Sequence, residues 1–182
     1  MMHGQPWRGE DVAGWHVCDK LDGCRGYWDG SRMFSRSGRV IPIPPTWAAK
    51  LPRTHLDGEI WAGRGMWETT VAAVVHGHWA PNVSFVIFDA PQINAPWPER
   101  LAKASKRLRG GFAATIPSET VHDLQHAAAI FRAVRLGGGE GLMLWHPTAT
   151  HSAKRTSYVL KMKKCPLTGE LAWKERRYNR AA

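Results

Sequence analysis

The stretch that decides the fold is CDKLDGCRG, residues 18–26. It places Lys20 before a leucine, and an aspartate, a glycine and an arginine follow within five positions. A lysine is nucleophilic only as a neutral amine, and near pH 7 only about one part in a thousand of free lysine is neutral. Burial and neighbouring cations favour the neutral amine, so Lys20 is a candidate nucleophile. The alternative is a strand that runs into an Asp-Gly turn.

Composition favours one soluble globular domain, with or without a short appendage. The chain has 182 residues, of which 43% are hydrophobic and 22% charged, values that are ordinary for such a domain. No apolar run is long enough to span a membrane, and residues 1–10 lack the apolar region of a signal peptide. Three cysteines without a CxxC pattern indicate a reducing compartment rather than disulfides or zinc. We therefore expect a cytoplasmic protein.

The charge distribution predicts a polyanionic partner. Net charge is +10, with 25 Lys+Arg against 15 Asp+Glu. One basic cluster lies between residues 100 and 109, and the largest excess lies near the end of the chain, at Lys161, Lys163, Lys164, Lys174, Arg176, Arg177 and Arg180. Nucleic acid is the first candidate for the partner. The alternative is a basic protein whose charges serve only solubility.

Local patterns predict an α+β fold. Asp29-Gly30 is a strong hairpin signal within an early series of strands. Thr46 and Ser118 are candidate helix caps. The predicted strands are 12–20, 24–28, 32–36, 40–43, 56–62, 83–88, 112–116, 140–145 and 158–163, and the predicted helices are 47–51, 68–76, 98–109 and one from Ser118 to about residue 136. The order is not a regular βαβ alternation, so we expect largely antiparallel sheets.

Short motifs around the first stretch follow one another in a recognisable order. They are KLDGCR (20–25), SRSG (35–38), DGE (57–59), FVIFD (85–89), EGLML (140–144) and LKMK (160–163). This series resembles the nucleotidyltransferase motifs of ATP-dependent DNA ligases and of their relatives, RNA ligases and mRNA capping enzymes. The likeness spans roughly residues 12 to 163. The sequences KLDGCRGYWDG and LDGEIWAGRG are most similar to those of small bacterial and phage DNA ligases.

The resemblance implies a fold and a reaction. The fold is an ATP-grasp-like adenylation domain, in which antiparallel sheets flanked by helices hold a nucleotide in the groove between them. The implied reaction is DNA ligation: a lysine takes AMP from ATP, the AMP moves to the 5′-phosphate of nicked double-stranded DNA, and the 3′-hydroxyl displaces it. DNA ligases of this kind act in replication, repair and recombination, here in the cytoplasm of a bacterium or of a phage-infected cell.

The resemblance also implies roles for particular residues. Lys20 is the catalytic nucleophile, and Lys161 and Lys163, which alternate along a strand and so face one side, assist it and bind the α-phosphate. The nucleotide contacts are Asp22, Arg25, Arg36, Glu59, Phe88, Lys161 and Lys163; the Mg²⁺ contacts are Glu59 and Glu140; the nucleic-acid contacts are Arg36, Lys174, Arg176 and Arg177. Without the motif order these would be surface acids, a solvated basic strand and, for Phe88, a core residue.

The chain departs from the family pattern at its end. Such ligases continue into an OB-fold domain, a five-stranded barrel, which the segment 164–182 is too short to form. We therefore expect a domain at 1–163 and a basic tail at 164–182. Either the chain is a fragment, or it is a naturally reduced enzyme, or an OB-fold domain acts in trans. Two alternatives stay open. One is the same chemistry on other substrates, as in an RNA ligase or capping enzyme. The other is a noncatalytic protein that binds nucleic-acid ends.

Overall fold

In a computed structural model that describes residues 1–170, these residues form two β-sheets and four α-helices. The strands are β1 (His3–Pro6), β2 (His16–Asp19), β3 (Cys24–Trp28), β4 (Met33–Ser35), β5 (Val40–Ile41), β6 (Leu56–Trp61), β7 (Ser84–Asp89), β8 (Ala113–Thr115), β9 (Glu119–Thr120), β10 (Leu142–Trp145) and β11 (Arg155–Met162). The helices are α1 (Pro45–Ala48), α2 (Trp67–His76), α3 (Trp97–Ser105) and α4 (Leu124–Leu136). No helix in this part of the chain could cross a membrane.

The two sheets are mostly antiparallel. The first has the order β1-β11-β10-β2-β9, and the second has the order β5-β4-β3-β6-β7-β8. Only two neighbouring pairs run parallel in the described residues, β1 with β11 and β7 with β8. Helices flank the sheets, so the predicted α+β class with largely antiparallel sheets is confirmed.

The side chains of β10 show how the first sheet separates two cores. Leu142 and Leu144 pack with residues of α4 on one face, in a cluster that includes Phe131. Met143 and Trp145 belong instead to the core between the sheets. Successive side chains of a strand point to opposite faces. The strand that follows Glu140 is therefore buried on both sides, which fixes the position of Glu140 at its start.

The longest helix begins later than the sequence predicts. Ser118 does not cap it. The N-cap is Asp123, whose side chain accepts a hydrogen bond from the backbone N–H of His126 at 2.7 Å. Glu119 lies in β9, which pairs with β2 rather than forming a first helical turn. Ser118 and Asp123 are both good capping residues. Because β9 pairs with β2, the chain after Ser118 is extended, and the helix begins only after Asp123.

Two further elements differ from the expectation. Helix α1 begins at Pro45, so Thr46 lies inside it and is not its cap. Strand β1 was not predicted, because HGQP contains neither an apolar alternation nor a β-branched residue. It forms by parallel pairing with β11, and β11 begins at Arg155, earlier than predicted, where His3 pairs with it.

A buried ion pair connects the two sheets near the end of β7. Arg100 of α3 is fully buried and its Nε donates to Asp89 at 2.7 Å. The same guanidinium donates to the carbonyl oxygens of Ala95 and Ala149 at 2.7 and 2.6 Å. His151 lies 3.0 Å from the other carboxylate oxygen of Asp89. The segment between β10 and β11 is thereby held against the second sheet.

The residues that follow β11 return to the body of the protein. Cys165 is buried in the cluster that contains α4. Glu170 lies 3.2 Å from Arg135 at the end of that helix. The predicted division at residue 163 stays a prediction, and Lys174, Arg176 and Arg177 lie outside the described residues.

Candidate active site

Lys20 lies in the loop directly after β2, at the opening between the two sheets. Its backbone N–H donates to the carbonyl of Gly141 at 2.9 Å. A Cβ on Gly23 would lie 2.4 Å from the Ile60 carbonyl oxygen, so only glycine allows the loop to cross β6 this closely. Gly141, with φ of +135°, would bring a Cβ within 2.4 Å of the Met162 carbonyl oxygen. These two glycines set the approach of Lys20 to Glu140.

Glu140 is the acid at the centre of the site. Its Oε2 forms an ion pair with the Lys20 ammonium, and its Oε1 lies 2.9 Å from Nζ of Lys163. Burial alone would raise the pKa of Glu140, but the hydrogen bonds and charges of Lys20 and Lys163 outweigh burial and lower it. In this state the carboxylate stabilises Lys20 as an ammonium. Lys20 becomes a nucleophile only when that pair is broken and the proton is lost.

The second sheet contributes Arg25, which a buried acid holds in place. The Nε and Nη2 atoms of Arg25 donate to the two oxygens of Asp57 at 2.9 and 2.6 Å, and Nη2 also donates to the Met2 carbonyl at 2.8 Å. The guanidinium lies 5.2 Å from the centre of the Phe88 ring. Paired donors of this kind fix the plane of the guanidinium. Arg25 and Phe88 therefore form one rigid wall.

Glu59 pairs with Arg25 across β3 and β6, so both residues lie on the same face of the sheet. Burial raises the pKa of Glu59 to about 7, although the charges of Lys20 and Arg25 and a hydrogen bond from the Gly23 N–H oppose the rise. A half-protonated carboxyl near neutral pH can both donate and accept hydrogen bonds. That property suits contact with ribose hydroxyls.

The raised pKa of Glu59 makes stability depend on pH. The unfolded carboxyl ionises near its ordinary value of 4.5 and the folded one near 7. The contribution of Glu59 to stability is thus fully present below pH 4.5 and is lost as the pH rises through 7. We expect the Tm of Glu59→Gln, measured relative to the Tm of wild type, to be several degrees higher at pH 8 than at pH 5. At this chain length about 1 kcal/mol of stability corresponds to roughly 2–4 °C in Tm. Thermal unfolding at both pH values, with Glu68→Gln as control, measures the gain; an unchanged Tm difference would contradict it.

Side chains from both sheets enclose a cavity of about 280 Å³ beside Lys20. The first sheet contributes Cys18, Met143, Trp145, Val159 and Lys161. The second sheet contributes Arg25, Glu59 and Phe88, with Gly23 in the loop before β3 and Arg36 at the margin. Burial lowers the pKa of Lys161, and the charges of Lys20, Arg155 and Arg36 lower it further. The cavity thus combines an apolar, aromatic interior with a cationic margin, as a site for a nucleotide requires.

The structure brings together most of the predicted site residues. Asp22 lines a small cleft with Lys20 and Glu140. Arg64 forms an ion pair with Asp19, directly before Lys20, and donates to the Val134 carbonyl at 3.3 Å. Among the described residues no group of three or more metal-binding side chains gathers at one point. Any metal ion would therefore need ligands from a bound phosphate as well as from Glu140 or Glu59.

Sequence patterns did not reveal the contribution of β1. Met2 accepts the hydrogen bond from Arg25, and Met2, His3 and Gly4 line the cavity. Trp145 forms part of the cavity wall and stacks on Trp97 with ring centres 4.8 Å apart. The available signal for Trp145 was its place in a predicted strand, where successive side chains point to opposite faces. For β1 no local signal existed.

Comparisons with known proteins agree with this geometry. The DNA ligase of Haemophilus influenzae is 29% identical over 162 residues, which cover 86% of this chain and 60% of the relative. A Lig E DNA ligase, from a study of DNA binding with a minimal scaffold, superposes with a TM-score of 0.82 at 28% identity and covers 90% of this chain and 68% of that one. The Chlorella virus DNA ligase-adenylate gives a TM-score of 0.76 at 20% identity, with the same coverage. No family model matches the chain.

The fold is that of the adenylation domain of ATP-dependent DNA ligases. The predicted resemblance to these enzymes is therefore confirmed. The ATP-dependent DNA ligase of bacteriophage T7, solved with ATP, shares the fold at a TM-score of 0.66 and 14% identity, over 88% of this chain and 67% of that one. The chain spans 60% of the length of the Haemophilus influenzae relative.

Proposed function

We propose that this chain is an ATP-dependent DNA ligase whose nucleophile is Lys20. The observation that carries the proposal is the position of Lys20, which contacts Glu140 and lines a cavity together with Arg25, Glu59, Phe88 and Lys161. Lys20 and Arg25 belong to the first motif of the series, and each of the other residues comes from a different motif. The likeness to the Haemophilus influenzae DNA ligase and to a Lig E DNA ligase supports the same reaction.

In the first step, Lys20 Nζ attacks the α-phosphorus of ATP. A nitrogen–phosphorus bond forms, the bond to the bridging oxygen breaks, and pyrophosphate leaves with that electron pair; the proton of the amine passes to solvent. Lys161 lies on the cavity wall, where its charge stabilises the growing negative charge on the phosphate oxygens. Phe88 supplies an aromatic face for adenine, and Glu59 contacts the ribose.

In the second step, a 5′-phosphate oxygen at a DNA nick attacks the phosphorus of the AMP-lysine and frees the amine. In the third step, the 3′-hydroxyl attacks the 5′-phosphate, a phosphodiester forms and AMP leaves. Exposed Arg36, at the margin of the cavity, binds the incoming 5′-phosphate, because a guanidinium matches phosphate oxygens. The sealed nicks would be those of replication, repair and recombination in the cytoplasm.

Magnesium fits the acids that are present. Glu140, with Glu59 as a second ligand, would hold Mg²⁺ together with phosphate oxygens and water, since one or two carboxylates usually suffice. The ion would supply charge neutralisation at the phosphates. Glu140 also forms ion pairs with Lys20 and Lys163. Binding of Mg²⁺ by Glu140 would therefore release Lys20 from its ion pair.

Incubation with ³²P-α-labelled ATP and Mg²⁺, followed by a denaturing gel, tests the first step. We expect covalent label on Lys20, and then sealing of a duplex with one 5′-phosphorylated nick. Label from GTP instead of ATP would favour a capping-type enzyme, and joining of RNA ends but not DNA nicks would favour an RNA ligase. Binding of nicked DNA without label, sealing or activity on pre-adenylated DNA would favour an end-binding protein. If wild type seals only after an OB-fold protein is added, that domain acts in trans.

A further inference from the structure

A second cavity adjoins the nucleotide cavity and shares two side chains with it. Its volume is about 550 Å³, and His3 and Arg36 line both cavities. The remaining wall consists of Met1, Tyr27, Phe34, Ser35, Gly38 and Ala153. Of these two cavities, only the first is lined by Lys20. The boundary at His3 and Arg36 therefore separates the nucleophile from an open, partly aromatic recess.

The boundary lies beside two cations, Arg36 and Lys161. Among the described residues, the ion pairs found involve neither His3, Arg36 nor Lys161. Burial lowers the pKa of His3, and the charges of Arg25, Arg36, Lys161 and the amino terminus lower it further. Two cations without an ion-pair partner, beside an imidazole that can donate a hydrogen bond, form a site that favours an anion. The anion that fits a nucleotide cavity and its neighbour is a phosphate.

His3 is held by its backbone rather than by its ring. Its N–H donates to the Lys154 carbonyl at 3.2 Å, and it pairs with Arg155 in the parallel ladder of β1 and β11. The hydrogen bonds found among the described residues do not include the imidazole. The side chain is partly buried and stays available to a ligand.

We propose that His3, at the boundary between the two cavities, donates a hydrogen bond to the 5′-phosphate of the acceptor strand beside Arg36. This inference rests on the proposed ligase function. AMP transfer requires the acceptor phosphate next to the phosphate on Lys20, which is the position of the shared boundary. Tyr27 and Phe34 line the open recess beyond that boundary. The other source of phosphate at this boundary is the β- or γ-phosphate of ATP.

Binding of two nicked duplexes, one with a 5′-phosphate and one with a 5′-hydroxyl at the nick, separates these sources. The preference is the ratio of the Kd for the hydroxyl nick to the Kd for the phosphorylated nick. We expect His3→Leu to lower this ratio roughly tenfold, the effect of losing one hydrogen bond to a charged group. His3→Gln, which keeps a donor, should restore part of the preference. His76→Gln, at an exposed histidine of α2, is the matched control and should bind like wild type. Fluorescence anisotropy gives each Kd without any turnover.

Kinetics of the separate steps complete the test. His3→Leu should raise the KM for nicked DNA in AMP transfer by a larger factor than it raises the KM for ATP in self-adenylation, and His3→Gln should do so to a smaller extent. An unchanged preference for the phosphorylated nick, or an effect confined to ATP, would overturn the inference. If wild type itself neither labels with AMP nor seals, the proposed function fails instead. Circular dichroism and Tm of His3→Gln check that strand β1 remains formed.

Discussion

Lys20→Ala is expected to abolish covalent labelling by α-labelled ATP, with a loss of at least about a thousandfold in rate. That factor corresponds to roughly 4 kcal/mol of activation free energy at 1.36 kcal/mol per factor of ten. The reason is that no other described lysine combines contact with Glu140 and a place on the wall of the nucleotide cavity. Lys163 also contacts Glu140 but is exposed and does not line that cavity.

The loss should be specific to the first step. Lys103→Ala, which removes an exposed lysine on α3, is the control and should label at the wild-type rate. Lys20→Ala should still seal a nick that already carries AMP, because that step needs no lysine nucleophile. Peptide mapping that finds AMP on another lysine in wild type would refute the assignment of Lys20.

The early strands were predictable because their signals are local. Asp29-Gly30 closes the hairpin between β3 and β4, and the alternation within β3 and β6 places Arg25 and Glu59 on one face. The continuous apolar run of β10 predicts its burial on both faces. The residues that a strand presents to the cavity could therefore be named from the sequence.

Long-range pairing could not be predicted in the same way. Strand β1 exists because a strand about 150 residues later in the chain pairs with it. The capping signal at Ser118 is locally as good as the one at Asp123, and only the pairing of β9 with β2 rejects it. His3 carries no motif, and its position beside Arg36 depends on β1. Local sequence thus predicts which faces are buried but not which distant segments meet.

The motif order predicted the members of the site but not their pairing. The resemblance led us to expect Lys161 and Lys163 to assist Lys20 and to bind the α-phosphate. In the structure Lys163 instead contacts Glu140 at 2.9 Å, and Glu140 also holds Lys20, 120 residues away in sequence. The acid is therefore shared between two lysines, and its charge is the feature on which the state of Lys20 depends.

Glu140→Gln tests two roles of that acid, the ion pair that holds Lys20 and the proposed contact with Mg²⁺. An amide cannot neutralise two ammonium groups, so the variant leaves Lys20 and Lys163 without their common counter-charge, and repulsion then favours the neutral amine of Lys20. We expect Lys20 to react faster with an amine-modifying reagent in Glu140→Gln than in wild type, measured by mass spectrometry of the modified peptide. Glu99→Gln, which alters an exposed pair with Lys103, should leave the reactivity of Lys20 unchanged.

Self-adenylation should change in the opposite direction. The proposed magnesium contact is lost with the carboxylate, so labelling by ATP should fall roughly a hundredfold at a fixed Mg²⁺ concentration and recover in part as Mg²⁺ is raised. A more reactive lysine in a slower enzyme would mean that Glu140 both restrains the nucleophile in the free protein and serves the phosphates during reaction. A fall in both reactivity and labelling would show that Glu140 only positions Lys20, and the magnesium assignment would then pass to Glu59 alone.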